Sequence, residues 1–201
     1  MSDTLEVREA RPLRADARRN RERVVKAARA VFGERGRDAQ MDDVARRAKV
    51  GVGTVYRHFP TKEALLEALV RDSFAQLAAW ASEAADEPDA WAAFEALLWR
   101  GAELHARDHA LAEATADTKA SIADQAAEES GLAASMAELM GRAQQQGRMR
   151  PDVRTQDLST VMCGLGGIMH RDTDDPLAWR RYLSLMLDGL RAAPGHAPLP
   201  E

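Results

Sequence analysis

Apolar residues recur at helical spacing through most of this chain, and the interruptions between the repeats divide it into elements. Val24, Ala27, Ala28, Val31 and Phe32, after Asn20, fall at i, i+3, i+4, i+7 and i+8 and predict an amphipathic helix. Gly36 follows Arg35 as its C-terminal cap. Met41, Val44, Ala45 and Ala48 predict a shorter second helix, with Asp42 and Asp43 in the first turn, where the helix dipole favours negative charge. A third element starts after Gly51, with Val52, Val55, Tyr56 and Phe59 on or near one side, and Pro60 interrupts it. Thr61 is placed to cap a long fourth helix carrying Leu65, Leu66, Leu69, Val70, Phe74 and Leu77. Residues 1–17 show little periodicity and are expected to form a flexible basic arm.

The helical pattern continues beyond this head. A segment opening at Pro88 carries Trp91, Phe94, Leu97, Leu98 and Trp99, and an alanine-rich stretch spans His109 to about Ala127. Leu132, Met136, Leu139 and Met140 predict a helix that stops near Gly147. Leu158, Val161, Met162, Leu165, Ile168 and Met169 make the next stripe, after a polar start at residues 152–157. Asp175 and Pro176 form a cap and first position for the last helix, marked by Leu183, Met186, Leu187 and Leu190. No β-period alternation persists, so the expected fold is all-α. The expected organisation is a three-helix head at 18–64, a larger helical domain at 65–193 and a flexible tail at 194–201.

Charge sharpens this division. Residues 1–60 carry 15 Lys or Arg against 9 Asp or Glu, a net +6, whereas residues 61–201 carry 13 against 23, a net −10. A positive head suits nucleic acid, and a solvated basic surface beside an acidic body accounts for the same numbers. The single cysteine, Cys163, excludes an intramolecular disulfide framework, so a reducing cytoplasm suffices. The N-terminus lacks the apolar core of a secretion signal, and no run of 18 uncharged apolar residues follows, so no membrane partner is expected.

The third element is the chemically distinctive one. A short helix, a tight turn and a second short helix bearing polar groups match helix-turn-helix recognition of double-stranded DNA, while a surface hairpin with packed aromatics has weak enough requirements to match as well. Thr54, Tyr56, Arg57 and His58 supply groups for base edges or phosphates, Gly53 leaves room for close approach, and Lys62 stands where the next helix begins.

The ordered pieces KAARAVFGERG at 26–36, MDDVARRA at 41–48, GVGTVYRHF at 51–59 and TKEALL at 61–66 resemble the DNA-binding domain of the TetR family of transcriptional regulators. That resemblance implies a recognition helix containing GTVYRHF, with Thr54, Tyr56, His58 and Lys62 at positions that usually meet phosphates or bases, and Val52 and Arg57 helping to set operator preference. Two residues depart from the pattern. Gln40 stands where Ser or Thr usually caps the second helix, and Lys49 replaces the usual turn glycine; both are candidate DNA contacts. The segments at 142–158 and 179–191 are similar to TetR-family C-terminal domains, which implies an effector-binding domain whose last two long helices pair in a homodimer.

Leu165, Met169, Leu183 and Leu187 are the expected dimer contacts, an intramolecular helix pair being the alternative, and the glycines at 164, 166 and 167 suit close backbone packing. Trp80, Trp91, Phe94, Trp99, Met136, Met140 and Met162 are candidate walls of an effector pocket, or ordinary core. His105, His109 and Glu113 have metal-ligand spacing, but an alanine-rich surface helix explains them better, and no metal is expected. Cys163 reads as a small buried hydrophobe, GLGG lacks nucleotide-loop spacing, and Glu128 and Glu129 have no paired site. Neither enzyme chemistry nor a cofactor is expected. The expected function is a ligand-responsive regulator, in the first instance a repressor released by a small apolar or aromatic effector from a near-palindromic operator. The alternative is a helical small-molecule-binding protein with a vestigial DNA head.

Overall fold

The computed structural model describes residues 3–108, 120–169, 175 and 178–200. Its helices are α1 (Asp3–Arg35), α2 (Met41–Ala48), α3 (Val52–His58), α4 (Lys62–Ala84), α5 (Ala90–Arg107), α6 (Ala120–Glu129), α7 (Leu132–Gln145), α8 (Thr155–Met169) and α9 (Ala178–Leu190). The chain divides into two compact units, Met1–Leu69 and Val70–Glu201. The division falls inside α4, later than the expected 64/65 boundary. Its first turns belong with the head because Leu65 and Leu69 are buried, Arg29 donates to the Leu69 carbonyl at 3.3 Å, and Lys62 Nζ lies 5.3 Å from the Phe32 ring centroid.

In the first unit α1 packs on α2 and α3, and α2 on α3. Val24, Ala27, Ala28, Val31 and Phe32 of α1 and the α2 stripe of Met41, Val44, Ala45 and Ala48 are buried, as are Val55 and Phe59. Pro60 separates α3 from α4 as its chemistry requires, leaving Phe59 extended at φ −137° and ψ 93°. Thr61 Oγ1 then accepts from the Ala64 N–H at 3.1 Å and caps α4. Residues 3–17, within the expected flexible basic arm, have helical backbone as part of α1. Ala, Arg and Glu propagate a helix through backbone bonding alone, so a missing apolar stripe does not exclude one.

In the second unit α5 packs on α7 and α8, α7 on α6 and α8, and α8 on α9. Asp89 caps α5 by accepting from the Ala92 N–H at 3.0 Å, a bond that holds its carboxyl below the ordinary value of 3.8. The polar segment after α7 ties the unit together. Gln144 Nε2 donates to the carbonyls of Arg150 and Val153, and Gln146 exchanges bonds with the Pro88 carbonyl and the Ala90 N–H. Met149 and Arg191 form an isolated antiparallel bridge.

The tail makes polar contacts with the second unit. Arg150 and Asp152 form a two-bond ion pair at 2.7 and 2.8 Å. The same guanidinium donates to the Ala197 carbonyl, and the same carboxylate accepts the Leu199 N–H, each at 2.8 Å. Backbone polar groups, which a hydropathy pattern does not register, hold the tail to the 150–152 turn. The Asp175 carbonyl accepts the Ala178 N–H at 3.2 Å, and Pro176, expected beside it at the start of the last helix, lies outside the described residues.

Candidate nucleic-acid interface

The helix-turn-helix pair is positioned from both sides of α2. Arg35 and Arg46 bind the Asp43 carboxylate at 2.5 and 3.2 Å, and Arg47 binds both oxygens of Glu34 at 2.7 and 2.9 Å. Exposed pairs of this kind contribute at most about 1 kcal/mol each. They orient α1 and α2 more than they stabilise them; the apolar stripes supply the cohesion.

Between α2 and α3 the chain turns through Lys49, at φ 55° and ψ 47°, whose N–H returns to the Ala45 and Arg46 carbonyls. Among the described residues Lys49 is the only non-glycine with positive φ. This left-handed backbone costs a residue with a side chain about 1–2 kcal/mol. Lys49 itself is exposed. Gln40, the residue before α2, makes no side-chain cap; its Nε2 donates to the Asp38 carbonyl at 3.2 Å instead.

One side of α3 faces inward through Val55, and the other presents Val52, Gly53, Tyr56 and Arg57 to solvent, at i, i+1, i+4 and i+5. Val52 and Tyr56 are 40% and 48% exposed, so only Val55 and Phe59 of the four apolar positions expected near one side are buried. A Cβ added at Gly53 would meet nothing within 4 Å. Thr54 and His58 are half-buried at the margins of the exposed face. Arg21 covers the Phe59 ring, with its guanidinium carbon 5.3 Å from the centroid. Lys62 starts α4, half-buried. The exposed side of α3 combines a guanidinium, a phenol and apolar surface over a backbone open to approach. These are the groups that hydrogen-bond base edges and phosphates and contact thymine methyls.

All seven effector-site candidates gather in the second unit. Trp91, Phe94, Met136 and Met140 are buried in one apolar cluster, and Trp80, Trp99 and Met162 pack partly buried against it. Trp91 and Phe94 lie with ring centroids 5.6 Å apart. Trp91 Nε1 donates to Glu95, and Arg191 covers its ring at 4.9 Å. Arg100 lies 4.2 Å from the Trp80 centroid. Of the expected dimer contacts, Leu165, Leu183 and Leu187 are buried within the chain's own core, while Met169 is partly buried against it. Ser159, Thr160, Cys163, Gly164 and Gly167 of α8 are exposed, and α9 exposes Leu185 at 68%. Cys163 is therefore not the buried hydrophobe its neighbours suggested. Gly164 has an intramolecular reason to lack a side chain, since its Cβ would stand 3.0 Å from Tyr182 Oη, whereas one at Gly167 would meet nothing. Leu185 was detectable as an apolar residue off the stripe of Leu183, Met186, Leu187 and Leu190.

Among the described residues no three His, Cys, Asp or Glu are grouped to hold a metal. His105 is buried on α5, and His109 and Glu113 lie outside the described residues. No helix among the described residues is long and apolar enough to cross a membrane.

Residues 24–69 match the family model described as bacterial regulatory proteins of the tetR family, and residues 86–192 match the C-terminal domain described as transcriptional regulator SbtR-like. A TetR transcription regulatory protein from Mycobacterium vanbaalenii is similar in structure at a TM-score of 0.63 and 33% identity, covering 90% of this chain and 99% of that one. The TetR transcriptional regulator SCO0520 from Streptomyces coelicolor aligns at a TM-score of 0.62 and 32% identity, over 86% of this chain and 98% of its own. The HTH-type transcriptional regulator UidR of Escherichia coli K12 is 36% identical over 59 residues, which are 29% of this chain and 30% of that protein. The match therefore spans under a third of that curated relative. With the second family model alone covering more than half of the chain, and an exposed α3 side on a helix-turn-helix head, the chain belongs to the TetR family of DNA-binding transcriptional regulators, with a helical ligand-binding domain.

Proposed function

We propose that the protein is a homodimeric repressor that binds a near-palindromic operator in double-stranded DNA through α3 and is released by a small apolar or aromatic effector. The observation that carries this reading is the outward side of α3, where Val52 and Tyr56 stand exposed beside Arg57 and an unobstructed Gly53. Packing within the head gives no reason for two large apolar residues to face water, whereas a major groove supplies both methyl groups and acceptors. Thr54, His58 and Lys62 extend the contact toward phosphates, and Gln40 and Lys49 flank it.

A single α3 reads a short half-site, so two heads related by a twofold axis are needed for an operator of useful length. The uncharged outer side of α8, together with Leu185, supports dimerisation there in place of the buried leucines. The cluster around Trp91, Phe94 and Met140 supports an apolar effector that opens space among these side chains. Coupling runs through α4, which continues unbroken from Lys62 to Ala84, and each tenfold loss of operator affinity requires about 1.4 kcal/mol of it.

Gel-shift competition with the protein's own promoter region tests the DNA reading. Saturable, sequence-selective binding that is weakened by Tyr56→Phe or Lys62→Ala is expected. Equal weak binding to every duplex would instead identify a small-molecule-binding protein with a vestigial head. A ligand screen in which only highly charged metabolites stabilise the protein would refute the effector class.

A further inference from the structure

We propose that Arg23 is a positioning residue for DNA reading, clamping the turn between α2 and α3 through the left-handed Lys49 without itself touching DNA. This rests on the DNA-binding reading of α3. Two observations converge on one point of the head. Lys49 is the only non-glycine with positive φ among the described residues, and it stands where the two helices of the motif change direction. The Arg23 guanidinium, from α1, donates through Nη2 to the Ala48 carbonyl at 2.9 Å and the Lys49 carbonyl at 3.2 Å. Its Nη1 donates to Asn20 Oδ1 at 3.3 Å, which orients the fork from its own helix.

The chemistry suits the place. Ala48 is the last residue of α2, where carbonyls lack helical partners and the dipole is negative, so a cation that bonds them is favoured. By holding the carbonyls on either side of the strained residue, Arg23 keeps Lys49 left-handed and so sets the angle at which α3 leaves α2. A glycine there would hold the same backbone without strain. The role of Arg23 should therefore shrink when Lys49 is replaced by glycine, a dependence that neither a phosphate contact nor a general stabilising bond predicts.

The experiment compares wild type, Arg23→Lys, Arg23→Gln, Lys49→Gly and the Arg23→Gln/Lys49→Gly double variant as full-length proteins. Circular dichroism establishes that each is folded. Arg23→Lys keeps the charge and loses the planar fork. Operator affinity is expected to fall about tenfold in both Arg23 variants but less than threefold on adding Arg23→Gln to Lys49→Gly. The slope of log affinity against log salt should not change. A slope smaller by about 0.9 in Arg23→Gln would assign a direct phosphate contact and overturn the proposal. So would an equal loss in the two backgrounds, or wild-type affinity in both Arg23 single variants. Hydrogen exchange reads the clamp without DNA. The Lys49 and Val50 amides, which bond back to α2, should exchange at least tenfold faster in Arg23→Gln while those of α1 do not. Unchanged exchange overturns the clamp. If wild type shows no sequence preference, the DNA-binding reading of α3 fails, and with it the proposed role in DNA reading, whatever the exchange result.

Discussion

Replacing Gly53 by alanine separates what α3 needs to fold from what it needs to read DNA. Beyond its chain neighbours and its own helix backbone an added Cβ meets nothing within 4 Å, and Gly53 is not among the glycines with positive φ. Neither sterics nor backbone conformation opposes the substitution. Alanine is favoured over glycine in a helix by roughly 0.5–1 kcal/mol, and each kcal/mol raises the melting temperature by about 2–4 °C for a chain this long. The variant should therefore melt slightly higher than wild type. On DNA the sign reverses, because the methyl group stands on the exposed side between Val52 and Tyr56, where the backbone is proposed to approach the duplex. A tenfold weaker operator complex, equivalent to about 1.4 kcal/mol, is the minimum expected. Calorimetry and fluorescence anisotropy with labelled operator, the latter at one fixed salt concentration, measure the two effects. Operator affinity equal to wild type would refute close backbone approach at Gly53. A melting temperature several degrees lower would refute the claim that the site accommodates alanine.

The remaining predictions address other parts of the molecule. Leu183→Ala, at a fully buried position, should cost about 2–5 kcal/mol in chemical denaturation, whereas Leu185→Ser should leave protomer stability nearly unchanged and shift sedimentation toward monomer. Thr61→Ala should lose about 0.5–2 kcal/mol by removing the cap that accepts from Ala64, read as a lower denaturation midpoint. Asp152 is held well below its ordinary value of 3.8, first by the Arg150 guanidinium and next by the Leu199 N–H. A depressed carboxyl contributes fully above its unfolded value and loses that contribution as pH falls toward the folded one. Asp152→Asn should accordingly flatten the loss of stability below pH 3.8 and leave the slope above it unchanged, as measured by denaturation across pH.

The sequence by itself determined the helices, most of their ends and the inner face of the head. These are local properties: Thr61 caps because a hydroxyl stands three residues before Ala64, Pro60 breaks α3 because it has no N–H, and the i, i+3, i+4 stripe of Val24 to Phe32 has one side to bury. The outward groups of α3 were legible for the same reason, although Val52 and Tyr56 read as apolar and proved exposed. Tertiary structure decided what periodicity leaves degenerate. An apolar stripe says that a helix face will be covered, but not whether the covering helix belongs to the same chain; α8 and α9 bury Leu165, Leu183 and Leu187 in the apolar cluster of the second unit and leave Cys163 and Leu185 outside. Nor does spacing reveal bonds to backbone across long separations. Arg23 reaches Ala48 and Lys49, and Arg150 and Asp152 reach Ala197 and Leu199, through carbonyl and amide groups that every residue type presents alike, so only the folded path of the chain selects which ones meet.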